Sequence, residues 1–213
     1  MKLNCHLLLF LTLCLLFAGC GNRPKELPDC NDLYVKYVHR WDDNPDHKIL
    51  IVKPDMIQSY EPDTDFLALE DSTDEGYIQI KQQVDAMMSA SKQDLQELVK
   101  FNDYNLEIID KLDKAISEEY IKGVLDVSDE NDDANHYLIS VIEFGCALAN
   151  TMENEIGGFV WVYDYPYWES TLVHKKTGYE IPVFHWAIKK YSGYGVDDGF
   201  KDKLIRLKEI LEE

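Results

Sequence analysis

Side chains able to move a proton or hold a metal crowd into one stretch near the C-terminal end: Asp164, Glu169, His174 and His185. A neutral imidazole beside a carboxylate can transfer a proton near neutral pH or ligate a metal. If His174 and His185 converge with Asp164 and Glu169, the site would suit a hydrolase of the cell envelope. The same residues also fit ordinary polar positions at strand and helix ends. No phosphate-cradling glycine loop, nucleophile elbow, paired-cysteine metal motif or His-Glu-x-x-His helix accompanies them. No cofactor or metal is therefore expected, and the sequence leans away from an enzyme. The acidic run Asp126 to Asn135 fails as a calcium loop. Counted from Asp126, the positions that need Gly and Glu hold Asn131 and Tyr137; counted from Asp129 they hold Ala134 and Ser140. It reads as a solvated loop ending in helix-capping acids.

A second constellation is aromatic. Phe159, Trp161, Tyr163, Tyr165 and Tyr167 occupy alternate positions, with Trp168 next to them. In one continuous strand the alternating five would share a face, and Pro166 should turn the last two away. An exposed ladder would stack on sugar rings or on a partner protein; a buried one would pack on the preceding helix. Val160 and Val162 make the other face apolar too, which reads as a strand buried on both sides. Tyr163, Tyr165, Tyr167 and Trp168 are the residues expected to reach a surface.

Cysteine usage divides the chain. Cys5 and Cys14 lie in the first nineteen residues, Cys20 follows directly, and Cys30 and Cys146 remain. In an oxidising compartment that even pair could form a disulfide tying the N-terminal segment to the helix that carries Cys146. Alternatively each is a small buried apolar side chain. Nothing near Cys146 in sequence would lower its pKa, so a nucleophilic thiol is not expected there.

The start of the chain gives an address. Lys2 precedes an apolar run, Leu7 to Phe17, broken by Thr12, and small residues lead to Cys20. That order is a signal peptide, and the run is shorter than the roughly 17–25 residues of a membrane-spanning helix. Leu15-Leu16-Phe17-Ala18-Gly19-Cys20 resembles the lipobox of bacterial lipoproteins, departing from it at Phe17, where Leu is usual. The resemblance implies cleavage before Cys20 and acylation of that cysteine, with anchoring in a membrane. Gly21 rather than Asp after it implies, by the family's sorting tendency, the outer membrane facing the periplasm. Residues 1–19 are then the signal peptide, 20–30 a lipidated tether, and 31–213 a single acidic α+β domain.

Without the signal, 194 residues carry 20 basic and 40 acidic side chains. Such a surface repels nucleic-acid phosphate and anionic headgroups, so the lipid must hold the protein to its membrane. It would attract a basic protein partner, or serve solubility alone.

The elements that must position these residues follow from periodicity. A helix is expected from Asn31 towards Pro45, strands at Ile49–Val52 and around Phe66, Leu67 and Leu69, and two helices over 77–120. Their break should fall near Ser91, where Ser91 and Asp94 resemble a capping box, or near Asn102. Asn135–Glu155 reads as an apolar helix stopped by Gly157-Gly158. Strands at 159–163 and 168–173, a turn at Lys175–Gly178, a return strand at 179–181 and helices over 183–191 and 197–212 complete the chain. The fold class is α+β, a small antiparallel sheet with a C-terminal hairpin packed against several helices. Residues 138–200, with Gly157-Gly158, Trp161, Gly178, Pro182 and Gly195-Val196-Asp197-Asp198, resemble a domain of many bacterial proteins for which no activity is established. That resemblance implies a fold and no reaction. The expected function is a non-enzymatic binding or interaction lipoprotein, by analogy an immunity-type inhibitor; the alternatives are the His174/His185 hydrolase and a glycan-binding module.

Overall fold

The computed structural model describes residues 26–38, 52–62, 64–66, 72–132, 134–195 and 199–212. Cys20, the signal peptide, and the expected strand residues Ile49–Ile51, Leu67 and Leu69 lie outside them. The architecture is α+β. Helix α1, Cys30–Leu33, runs into a π-turn, Tyr34–Val38, and strand β1 is Ile57–Gln58. Helices α2 (Glu75–Leu98), α3 (Leu106–Ala115), α4 (Glu118–Val127) and α5 (His136–Glu155) follow. Then come β2 (Phe159–Val162), a 3-10 turn (Tyr167–Glu169), β3 (Thr171–His174), β4 (Tyr179–Ile181), α6 (Val183–Lys190) and α7 (Phe200–Glu212). Among the described residues no helix is long and apolar enough to cross a membrane.

Local chemistry places these boundaries. Side chains of Asp74, Asn105, Ser117 and Asn135 accept hydrogen bonds from the amides of Tyr77, Ile108, Tyr120 and Leu138, each capping a helix start. The acidic loop thus ends in an asparagine cap rather than an acid. The expected capping box at Ser91 is absent. Ser91 is buried inside α2, with its hydroxyl on the Met88 carbonyl, and the helix runs on to Leu98. The stretch 77–120 therefore holds α2, α3 and the start of α4 rather than two helices. Nor is Trp168 in a strand: 167–169 form a 3-10 turn after a cis Tyr165–Pro166 peptide, and β3 starts at Thr171.

The sheet order is β1-β4-β3-β2, with all pairs antiparallel. Phe159 pairs with His174 and Trp161 with Leu172 on the face towards the helices; Val160 pairs with Val173 on the other. The helical face joins the main core around α5. The far face makes a second small cluster, Val160 and Val173 under Phe66 and Tyr60, so β2 and β3 are covered on both sides. Gly178 allows that cover. It has φ 71°, and a Cβ there would lie 2.1 Å from the Tyr60 carbonyl oxygen.

The segment from 52 to 58 is held by side chains before it becomes a strand. The Val52 amide donates to Asn31 Oδ1 at 2.8 Å, and the Lys53 amide to His185 Nδ1 at 3.1 Å. Trp186 Nε1 donates to the Asp55 carbonyl at 2.7 Å. With those amides engaged, Val52 has no ladder to join, and pairing starts only at Ile57, opposite Glu180.

Candidate functional site

Of the four residues named for proton chemistry, the fold brings two together. His185 projects from α6 and Glu169 from the 3-10 turn, with His185 Nε2 at 3.2 and 3.1 Å from the two carboxylate oxygens. Lys53 Nζ reaches Glu169 Oε2 at 2.8 Å, and the Tyr34 hydroxyl donates to Oε1 at 2.6 Å. The Tyr34 and His185 rings lie 5.3 Å apart. Burial alone would push the Glu169 carboxyl up, but His185 and Lys53 overcome it and hold the group well below the usual carboxylate range. Burial also pushes the His185 imidazole down, against the pull of Glu169.

These contacts fix the tautomer. Nδ1 accepts the Lys53 amide, so Nε2 carries the proton and donates it to Glu169. Each ring nitrogen is engaged by the protein itself, and the His185 side chain is fully buried. A general base needs a lone pair within reach of substrate. Here that lone pair is filled by backbone.

His174 and Asp164 stand apart from this cluster. His174 Nδ1 lies 2.9 Å from Thr177 Oγ1 and its ring packs on Phe159 at 5.3 Å. Asp164 is exposed and accepts from the Tyr165 amide at 2.8 Å. Lys53 and Tyr34, which complete the cluster, were invisible in sequence. Lys53 ends an apolar run, Tyr34 belongs to a helical stripe, and Tyr34 is 135 positions from Glu169.

The aromatic constellation also divides. Trp161 stacks on Phe184 at 6.0 Å and on Tyr163 at 6.2 Å, and Tyr163 meets Tyr77 edge-on at 5.1 Å. Tyr165 is 56% exposed. Trp168 is buried in the core and Tyr167 packs against it at 5.0 Å. Tyr167 and Trp168 therefore do not form the surface expected of them, because the 3-10 turn packs against α2 and α6 and takes both rings with it. Tyr163, Tyr165, Tyr167 and Trp168 thus form no flat ladder.

What remains is a mixed patch in which Tyr165 is exposed and Tyr60, Tyr77 and Tyr163 are half-buried, with carboxylates beside them. Tyr77 and Ile78 come from the start of α2, Tyr163 and Tyr165 from the loop after β2, and Tyr60 from the loop after β1. Partial burial first, then Glu180 and Asp164, push the Tyr60 hydroxyl up; burial and then Asp85 do the same for Tyr163. The acids are close enough to be felt by the phenols. Asp85 and Asp164 are exposed. Ile78 adds apolar area at 36% exposure.

A cleft of about 400 Å³ opens beside α7, lined by Asp55, Met56, Trp186, Tyr194, Lys203 and Arg206. Its lysine is already matched by Asp55 at 2.7 Å and lies over the Trp186 ring at 4.6 Å. The two cysteines are separate free thiols, both buried. Cys146 neighbours Ser91 and Glu143, and Cys30 neighbours Asp29 and Lys189. The cross-link the sequence allows is not formed, since each thiol is packed among its own neighbours. Compared with known protein families, with characterised proteins and with solved structures, the chain matches none.

Proposed function

We propose that the mature chain is a cell-envelope lipoprotein held by acyl chains on Cys20, facing the periplasm, that binds a basic protein partner and catalyses nothing. The observation that carries the binding reading is the patch of Tyr60, Tyr77, Tyr163 and Tyr165 among Asp85, Asp164 and Glu180. Tyrosines supply large contact area at low entropic cost, and nearby carboxylates select lysine and arginine on the facing surface. The closed partners of His185 support the non-enzymatic side, because Glu169 and the Lys53 amide occupy both ring nitrogens. An immunity-type inhibitor is one form such a binder takes, and its acidic surface would speed encounter with a cationic toxin.

The test has two arms. Cys20→Ser should move the protein out of the membrane fraction; retention there overturns the anchor. A photo-crosslinker placed at Tyr165 should capture one basic protein, with capture reduced at least tenfold by Asp85→Asn with Asp164→Asn and weakened by salt. Capture unchanged by that pair, or sensitive to Glu119→Gln instead, overturns the patch.

A further inference from the structure

We infer that the way the N-terminal tether docks orients the domain on its membrane, with the N-terminal end of α5 towards the bilayer and the tyrosine–carboxylate patch at the opposite end. This rests on the lipidation of Cys20 proposed above. The first described residues are already part of the body. Leu27 is 9% exposed and belongs to the main core, and the Pro28 carbonyl accepts from the Gly193 amide at 2.9 Å. A Cβ on Gly193 would stand 2.7 Å from the Leu27 carbonyl oxygen, so glycine there lets the tether lie against the loop after α6. Two depressions border it, one reaching Glu118 and Tyr194, the other Lys122, Leu125 and Asp126 of α4.

Cys20 is six positions before Glu26. A chain extends at most ~3.3–3.6 Å per residue, so the acylated cysteine stays within about 20 Å of that docked segment. The docked segment lies at one end of α5. Tyr137, at the start of α5, packs on Tyr37 at 5.1 Å and on Tyr191 at 6.2 Å, with Cys30 nearby. The patch lies at the other end. Helix α2 runs antiparallel to α5: Asp94 stands beside Glu143, and Asn150 Nδ2 reaches Met88 Sδ at 3.9 Å. Tyr77 is a further eleven residues back along α2, beyond Gly157. Helix α5 spans 20 residues, or about 30 Å at ~1.5 Å per residue.

The membrane-facing end is itself acidic. Glu26, Asp29, Asp32, Glu118, Asp126, Asp129, Glu130 and Asp132 are all exposed there. An anionic surface would push that end off to the limit of its tether rather than bind it. The chain stands on its lipid and holds its patch outward, where a soluble partner can reach it.

Nitroxide-headgroup lipid in phosphatidylcholine vesicles tests this. The lipidated full chain would carry a fluorophore at Asp126→Cys or at Lys176→Cys, the latter in the turn beyond α5 whose neighbour Lys175 donates to the Gly158 carbonyl at 2.9 Å. Buried Cys30 and Cys146 leave the new thiol as the labelling site. Quenching should be several-fold stronger at position 126 than at 176. A Gly-Ser insertion of about twenty residues after Asn22 should shrink that contrast, since such a linker relaxes to a coil. Equal or reversed quenching overturns the orientation, as does a contrast unchanged by the insertion. Failure of the unaltered chain to enter vesicles, or entry that survives Cys20→Ser, overturns the lipidation on which it rests.

Discussion

Lys190 and Asp113 meet at 2.6 Å with side chains 1% and 14% exposed. The lysine comes from the last turn of α6 and the aspartate from α3, and Asp113 Oδ2 also accepts from the Phe200 amide at 3.3 Å, where α7 begins. One buried ion pair therefore joins three helices. Removing one member of such a pair leaves a bare interior charge and costs about 3–5 kcal/mol, whereas replacing both with apolar groups is often neutral. Lys190→Met should lower the unfolding free energy by that amount, read as a lower urea midpoint at unchanged m-value. Lys190→Met with Asp113→Leu should recover most of it. A loss below about 1 kcal/mol for the single variant would show that the pair carries no such role.

Glu143 gives the fold an alkaline limit. Burial first, and then Asp94 and Glu97 on α2, push its carboxyl up from 4.5 to about 8. The folded state therefore holds a proton that the unfolded chain releases. The stabilisation is complete below about 4.5 and is lost as pH rises through about 8. The melting temperature should fall across that window, and Glu143→Gln, which keeps the shape without the charge, should flatten the fall. An unchanged slope in the variant would assign the effect elsewhere.

Glu169 works in the opposite direction. Its carboxyl is held low by His185 and Lys53, so its contribution is present above the unfolded value of 4.5 and lost as pH falls through the folded one. Glu169→Gln should cost about 3 kcal/mol at neutral pH, since it leaves Lys53 without its charge partner. The stability curves of variant and parent should converge in acid. Parallel curves from neutral to acidic pH would contradict the ion pair.

The thiols offer a chemical check. Burial pushes Cys146 up to about 12, and burial with Asp29 raises Cys30. The thiolate is the reactive form, so neither should react with a thiol reagent in the folded protein. Unfolding without reductant, in a Cys20→Ser chain lacking the signal peptide, should release both thiols. Release of none would mean that they are bonded.

Much of the fold was legible. The 3.6-residue spacing in 136–155, the glycine pair after it and the Lys175–Gly178 turn each rest on local backbone preference, and each stands where expected. The break expected near Ser91 or near Asn102 falls at the second place, between Leu98 and Leu106; at Ser91 the hydroxyl that could cap a helix is instead buried within α2. The site was legible only in part. Glu169 and His185 are close in sequence and were grouped, but together with His174 and Asp164, which stand apart; Lys53, Tyr34 and the acids around Tyr60 and Tyr163 come from remote segments.

By itself the sequence determined the α+β class, the acidic balance and the residue types available for chemistry, because periodicity, turn residues and charge are local or summed properties. Whether His185 has a free lone pair, which of Tyr163, Tyr165, Tyr167 and Trp168 faces water, and whether Cys30 meets Cys146 were decided by tertiary structure. Those depend on which distant backbone comes to lie alongside. A single amide from Lys53 settled the first, and a 3-10 turn settled the second.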